Sequence, residues 1–170
     1  MIRTIAIFVL GVALAACGYK MSGRYNGLPE HIRTIAVPTF TNQTLRSGLE
    51  QTLTSAVKKE FLQRGSYRIV SDPAAADAVL GVKILNYAIT PIGVKGQNVG
   101  TVFLLMIELD IQFTDRRDDK VLFRDGRFVI REEYALSDRA VDFYIEDAPA
   151  VERAARTFAA GLVATLLESF

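Results

Sequence analysis

The sequence contains a single cysteine, Cys17, a single histidine, His31, and almost no surplus of charge, with 20 basic residues against 19 acidic ones. One cysteine excludes an internal disulfide and, once modified, leaves no thiol for redox chemistry or a metal. No Ser-His-Asp or metal-ligand set can be built around His31, which reads as a surface or strand-entry residue. The balanced charge implies no strongly basic face for nucleic acid, so no nucleic-acid partner is expected. No cofactor is implied either, and stability must come from a packed core. The composition, 50% hydrophobic over a length typical of one domain, is ample to build one.

What is present begins with a short apolar run. Met1 to Thr4 carries Arg3, and Ile5 to Leu14 is apolar with only small residues interrupting it, the n-region and h-region of a secretory signal peptide. A spanning helix needs about 20 apolar residues, so this run is too short to be one. It ends in Leu14-Ala15-Ala16-Cys17, which resembles the bacterial lipobox, where cleavage before the cysteine is followed by attachment of diacylglycerol and an N-acyl chain such as palmitate. An ordinary signal peptide with a chance cysteine is the alternative, but the only cysteine stands at the one position the lipobox requires. The resemblance implies lipid attachment at Cys17 and, because Gly18 and not Asp follows it, export to the outer membrane with the domain on the periplasmic side. Each buried acyl CH₂ contributes about 0.8 kcal/mol, so several chains hold a protein at a bilayer essentially permanently. Arg3 leaves with the signal peptide, and the mature chain then carries 19 basic and 19 acidic residues. The expected organisation is a signal peptide over 1–16, a lipidated tether over 17–30 and a single α+β domain over 31–170.

Within that domain, Arg33 to Phe40 reads as a β-run with Ile35, Val37 and Thr39 on one face, and Pro38 marks an edge or a bulge. Ser47-Gly-Leu-Glu50 has the spacing of a capping box, and Asn42 is suited to turning the chain into the helix that follows. Leu49, Leu53, Val57 and Phe61 recur every four residues on that helix, with Gly65 as its C′ residue. Tyr67 to Val70 reads as a short strand and Asp72-Pro73 as a turn. Ala78 to Pro91, Thr101 to Asp115 and Lys120 to Tyr134 read as long strands, the last two joined by a polar hairpin at 116–119; glycines 93, 96 and 100 punctuate the first connection. A final helix is expected from Asp147 as N-cap, with Pro149 in its first turn and Val151, Ala155, Phe158, Leu162, Leu166 and Phe170 along one face. This order predicts an α+β, two-layer fold, two helices on one face of a mostly antiparallel, mixed sheet of about four to five strands.

Several phrases together resemble the LPS-assembly lipoprotein family, LptE: Cys17-Gly18-Tyr19 followed by Gly23, then Leu28-Pro29, Ile32 to Val37, Phe40-Thr-Asn42, Gly48-Leu-Glu50 and Ala76 to Gly81. The resemblance implies a non-enzymatic lipoprotein that plugs a large outer-membrane β-barrel (LptD-like), assists its assembly and takes part in inserting lipopolysaccharide into the outer leaflet, with lipopolysaccharide itself as a further partner. The first-strand and Ala-Asp-Ala-Val-Leu-Gly phrases also resemble activators of murein synthases and the N-terminal domain of TolB, which implies the alternative of a regulatory lipoprotein acting on a cell-wall synthase or another envelope complex. The tether is about a dozen residues at roughly 3.3 to 3.6 Å each, too short to reach across a periplasm and better suited to a partner in or beside the membrane.

Val102 to Ile107 is apolar on both faces of its strand, whereas Glu108, Asp110 and Gln112 alternate normally with apolar residues. A half-buried strand keeps one polar face, so something covers the outward side: a loop or the tether, or the wall of a partner barrel. The second reading makes Val102, Leu104 and Met106 partner contacts. Lys95, Arg116, Arg117, Lys120 and Arg124 are candidates for lipopolysaccharide phosphates; the alternative, which we favour, is a solvated hairpin neutralised by Asp115, Asp118 and Asp119. The Gly93-Val-Lys-Gly96 loop lacks the ending of a phosphate cradle. Glu132 and Glu133 are adjacent and so point to opposite faces, unsuited to paired acid-base work.

Overall fold

The structure, a computed structural model, describes residues 28–64, 67–94, 101–135 and 143–168. The elements in chain order are β1 (Thr34–Ala36), β2 (Thr41–Asn42), α1 (Leu49–Arg64), β3 (Arg68–Val70), a short 3₁₀ turn (Pro73–Ala75), β4 (Ala78–Val94), β5 (Thr101–Asp115), β6 (Val121–Ala135) and α2 (Phe143–Glu168). The sheet runs β3-β1-β4-β5-β6, with β2 also against β4. β1 is parallel to β3 and β4, while β4, β5 and β6 form an antiparallel meander. The expected α+β class, two helices against one open mixed sheet, is what the chain forms.

The first β-run divides in two because Pro38 has no N–H to give a ladder. β1 pairs Ile35 and Ala36 with Ala78 and Val79, and after the detour β2 pairs Thr41 and Asn42 with Lys83 and Ile84. Phe40 is buried there, its amide donating to Thr54 Oγ1 at 3.0 Å, whereas Thr39 is exposed and not on the core face. α1 buries Leu49, Leu53, Val57 and Phe61, the four-residue repeat of its sequence. Gly48, at φ +83°, makes the turn into it, a conformation that a side chain disfavours. The side-chain partner of Glu50 is Asn42 Nδ2 at 2.7 Å in place of the expected Ser47. Gly65 and Phe170 lie outside the described residues.

α2 starts at Phe143, four residues before the expected cap, which places Pro149 inside the helix and Asp147 in its second turn. Its stripe of Ala150, Val151, Ala154, Ala155, Phe158, Leu162 and Leu166 packs with α1 onto the sheet face carrying Leu105, Ile107, Leu109, Ile111 and Phe113.

Two bulges fall at one level across the meander. β4 carries an extra residue, Leu85, between the pairs Ile84↔Leu109 and Asn86↔Glu108, and β6 sets Gly126 and Arg127 against Asp110 between Leu109↔Phe128 and Ile111↔Asp125. An extra residue bends a strand and reverses which side chains face inward. Before Leu85, Leu80, Val82 and Ile84 point to the core; after it, Tyr87 and Ile89 do. The crease divides the sheet into a near half, where β1, β2 and β3 join the meander, and a far half of three strands alone.

Candidate functional site

On the face away from the helices the two halves differ in chemistry. The near half holds a polar depression of about 260 Å³, lined by Gly81, Lys83, Asp110, Gln112 and Thr114 among others. Lys83 Nζ lies 3.8 Å from Asp110 Oδ2, and Arg127 Nε lies 2.8 Å from Glu108 at the crease. Beyond the crease, Val102, Leu104 and Met106 project from β5 and are half-buried, paired in register with Gly93, Thr90 and Ala88 of β4 and with Ala135, Glu133 and Arg131 of β6. The structure thus brings the three proposed contact residues together, on the side opposite the buried Leu105 and Ile107. Both described helices pack on that opposite side. Exposed Ile92 continues the apolar far end.

A polar node fixes the loop leading into α1 to the far half. Asn42 Oδ1 accepts from the Thr44 amide at 2.9 Å and its hydroxyl at 2.8 Å, while Asn42 Nδ2 donates to Arg46 O at 2.8 Å and to Glu50. Arg46 meets the buried Asp147 at 2.9 Å, and Tyr87 donates to the other Asp147 oxygen at 2.9 Å. Burial first, then the hydrogen bond and charge of Asp147, push the Tyr87 hydroxyl well above its ordinary range, so it stays a neutral donor. Only the reversal at Leu85 aims Tyr87 inward to reach Asp147. The loop so held presents Leu45 fully to solvent. Nothing in the local sequence linked residues 46, 87 and 147, since the node depends on a bulge that no composition marks.

At the near end, His31 Nε2 lies 2.6 Å from Asp115 Oδ2. Asp115 was expected to neutralise hairpin arginines at the surface, yet it is 3% exposed and also accepts from the Arg117 amide at 2.9 Å. Arg116 reaches the Pro73 carbonyl, so its guanidinium is engaged by the fold. Arg117, Lys120 and Arg124 are exposed on and beside the hairpin, in keeping with the solvated arrangement favoured from the sequence, and Lys95 lies outside the described residues. Asp77 accepts from the amides of Arg33 at 3.0 Å and Thr34 at 2.8 Å, which holds its carboxyl below the ordinary range. Glu132 and Glu133 do part to opposite faces: Glu132 meets Arg153 of α2 at 2.8 Å and Glu133 is exposed. Among the described residues no three His, Cys, Asp or Glu side chains gather as a metal site. No described helix is long and apolar enough to cross a membrane. Cys17 lies outside the described residues.

Comparison with solved structures finds the same fold at low identity. A lipoprotein from Caulobacter crescentus is 18% identical over 77% of this chain and 88% of its own, with a TM-score of 0.50. A minor lipoprotein from Acinetobacter baumannii is 13% identical over 83% and 94%, at 0.51. A protein from Xanthomonas campestris is 14% identical over 80% and 83%, at 0.53. No curated protein sequence matches. The model of one family, described as lipopolysaccharide-assembly (LptE), matches residues 32–166.

Proposed function

The chain belongs to the LptE lipopolysaccharide-assembly family, and on that premise we propose that it is an outer-membrane lipoprotein, acylated at Cys17, that plugs a large LptD-like β-barrel and assists its assembly. The observation that carries this reading is the apolar outer face of the far half. Val102, Leu104 and Met106 stand together on the side that neither described helix occupies, beyond a crease that leaves the near half polar. Fully burying such side chains contributes roughly 1.5 to 3 kcal/mol each, enough for docking against a barrel wall.

The tether supports the same placement. Leu28 enters at the near end, its amide hydrogen-bonded to Tyr67 Oη at 3.3 Å. From Cys17 to Leu28 the chain spans at most about 40 Å, whereas the 17 residues of β4 extend roughly 56 Å. The near end therefore stays within reach of the bilayer. Residues 17–30 act as the tether and 31–170 as the domain. The family's role is one of assembly, and we assign no reaction to the chain.

The test is a gentle detergent pull-down of the tagged, lipidated protein from its native envelope. One large outer-membrane barrel is expected to copurify and to fall in abundance when the lipoprotein is depleted. Recovery of a cell-wall synthase without a barrel would replace this reading with that of a regulatory lipoprotein.

A further inference from the structure

β6 ends the sheet, so among the described residues no strand lies beside one side of its backbone. Long edge strands are usually blunted by a bulge, a proline, their brevity or charged side chains. Beyond the crease β6 has only the charges, Arg131 and Glu133 outward and Glu132 toward the helices. From Phe128↔Leu109 to Ala135↔Val102 it pairs with β5 over eight residues without a register shift, and it contains neither proline nor glycine.

Its charges are arranged for one partner. Arg131 and Glu133 are two apart and so share the outer face; both are exposed, and neither takes an ion-pair partner among the described residues. An antiparallel copy of the same strand, related by a two-fold axis normal to the sheet, keeps the faces aligned and can centre on only one residue at a time. Centred on Arg131 it sets arginine against arginine, and centred on Glu133, glutamate against glutamate. Centred on Glu132 it sets Arg131 opposite Glu133 twice, with Ile130 against Tyr134 and Val129 against Ala135. The two Glu132 side chains then meet on the helix face, where each carboxylate is already held by Arg153 at 2.8 Å.

We propose that the far half of β6 is a self-pairing edge, to which a second copy of this chain adds antiparallel about Glu132 through two Arg131–Glu133 ion pairs. The strands would supply main-chain hydrogen bonds and the charges would fix the register. Such a pair is the form of the lipoprotein outside any barrel, and it does not depend on the plug reading.

The experiment uses the full lipidated chain in detergent. Sedimentation is expected to show a concentration-dependent dimer, and Glu132→Cys to form a disulfide across the axis under oxidation, with the parent chain as the control for Cys17. Arg131→Glu and Glu133→Arg, checked for folding by circular dichroism, are each expected to weaken association about tenfold, since each turns two opposite-charge pairs into like-charge pairs. The double variant Arg131→Glu/Glu133→Arg restores the pairs with their signs exchanged and is expected to restore association. A chain that stays monomeric up to its solubility limit overturns the proposal. So does a dimer that ignores both single variants, or one that the double variant fails to restore. If a single variant does not fold, the Glu132→Cys disulfide decides alone.

Discussion

The near and far halves of the sheet are built from the same three long strands, yet they are closed off differently. In the near half, β1 and β2 cover the free edge of β4, β3 extends the sheet further, and Leu80, Ile84, Leu109, Ile111 and Phe113 are completely buried. In the far half, among the described residues, no strand lies beside β4 after Ile84 and β6 is an open edge; Leu105 and Ile107 are buried there, but Tyr87, Ile89, Phe103 and Phe128 are only partly buried. Burial sets local stability, so the near half is expected to be the more stable and the far half the more deformable.

The comparison is sharpest in the core. Phe113→Ala is expected to cost about 3 to 5 kcal/mol, whereas Phe103→Ala, which removes a ring stacked on Tyr134 at 5.7 Å, should cost about 1 to 2 kcal/mol. Equal losses in denaturant titrations would break the distinction. Next in size, Asp147→Ala leaves Arg46 and Tyr87 without their shared acceptor and should cost roughly 2 kcal/mol. Amide exchange should quicken from Asn42 to Glu50 and around Tyr87, while Leu109 to Phe113 keeps its protection.

Acid provides a third contrast. The Asp77 carboxyl is lowered by the amides of Arg33 and Thr34, and the Glu50 carboxyl by the amide at its own helix start and by Asn42. Each folded-state value lies below the unfolded one, so each contribution is complete above the ordinary carboxylate range, about pH 4, and is lost as pH falls through the lowered value. Asp77→Asn removes that contribution, so it should lower stability at neutral pH and flatten the profile below about pH 4, read by thermal unfolding across pH. Smallest for the fold are Leu104→Ser and Met106→Ser, expected within about 1 kcal/mol, although they lie in the proposed docking face.

The near half was largely legible in the sequence because its signals are local. The four-residue repeat of α1, the alternation of β5 after Glu108 and the apolar face of α2 through Val151, Ala155, Phe158, Leu162 and Leu166 each state a period and a face. The doubled apolar character of Val102 to Ile107 likewise marked an apolar outer face. What escaped depends on register. Leu85 and the Gly126-Arg127 pair carry no signal as single residues, yet they reverse the strands and so bring Tyr87 to Asp147. Asp115 read as a hairpin charge because its partner His31 lies 84 residues away. The start of α2 was placed late because Asp147 followed by Pro149 imitates a cap, while the true first turn begins at Phe143.

The central claim, that the outer face of the far half docks against a barrel, is tested most directly by a photo-crosslinking residue placed in the native envelope at Leu104 or Met106, and at Gln112 or Thr114 on the same face before the crease. Crosslinks to one large outer-membrane barrel from 104 and 106, and few from 112 and 114, are expected. Crosslinks confined to 112 and 114, or none to any barrel from the far half, would contradict the claim and leave the far half as an open sheet with another purpose.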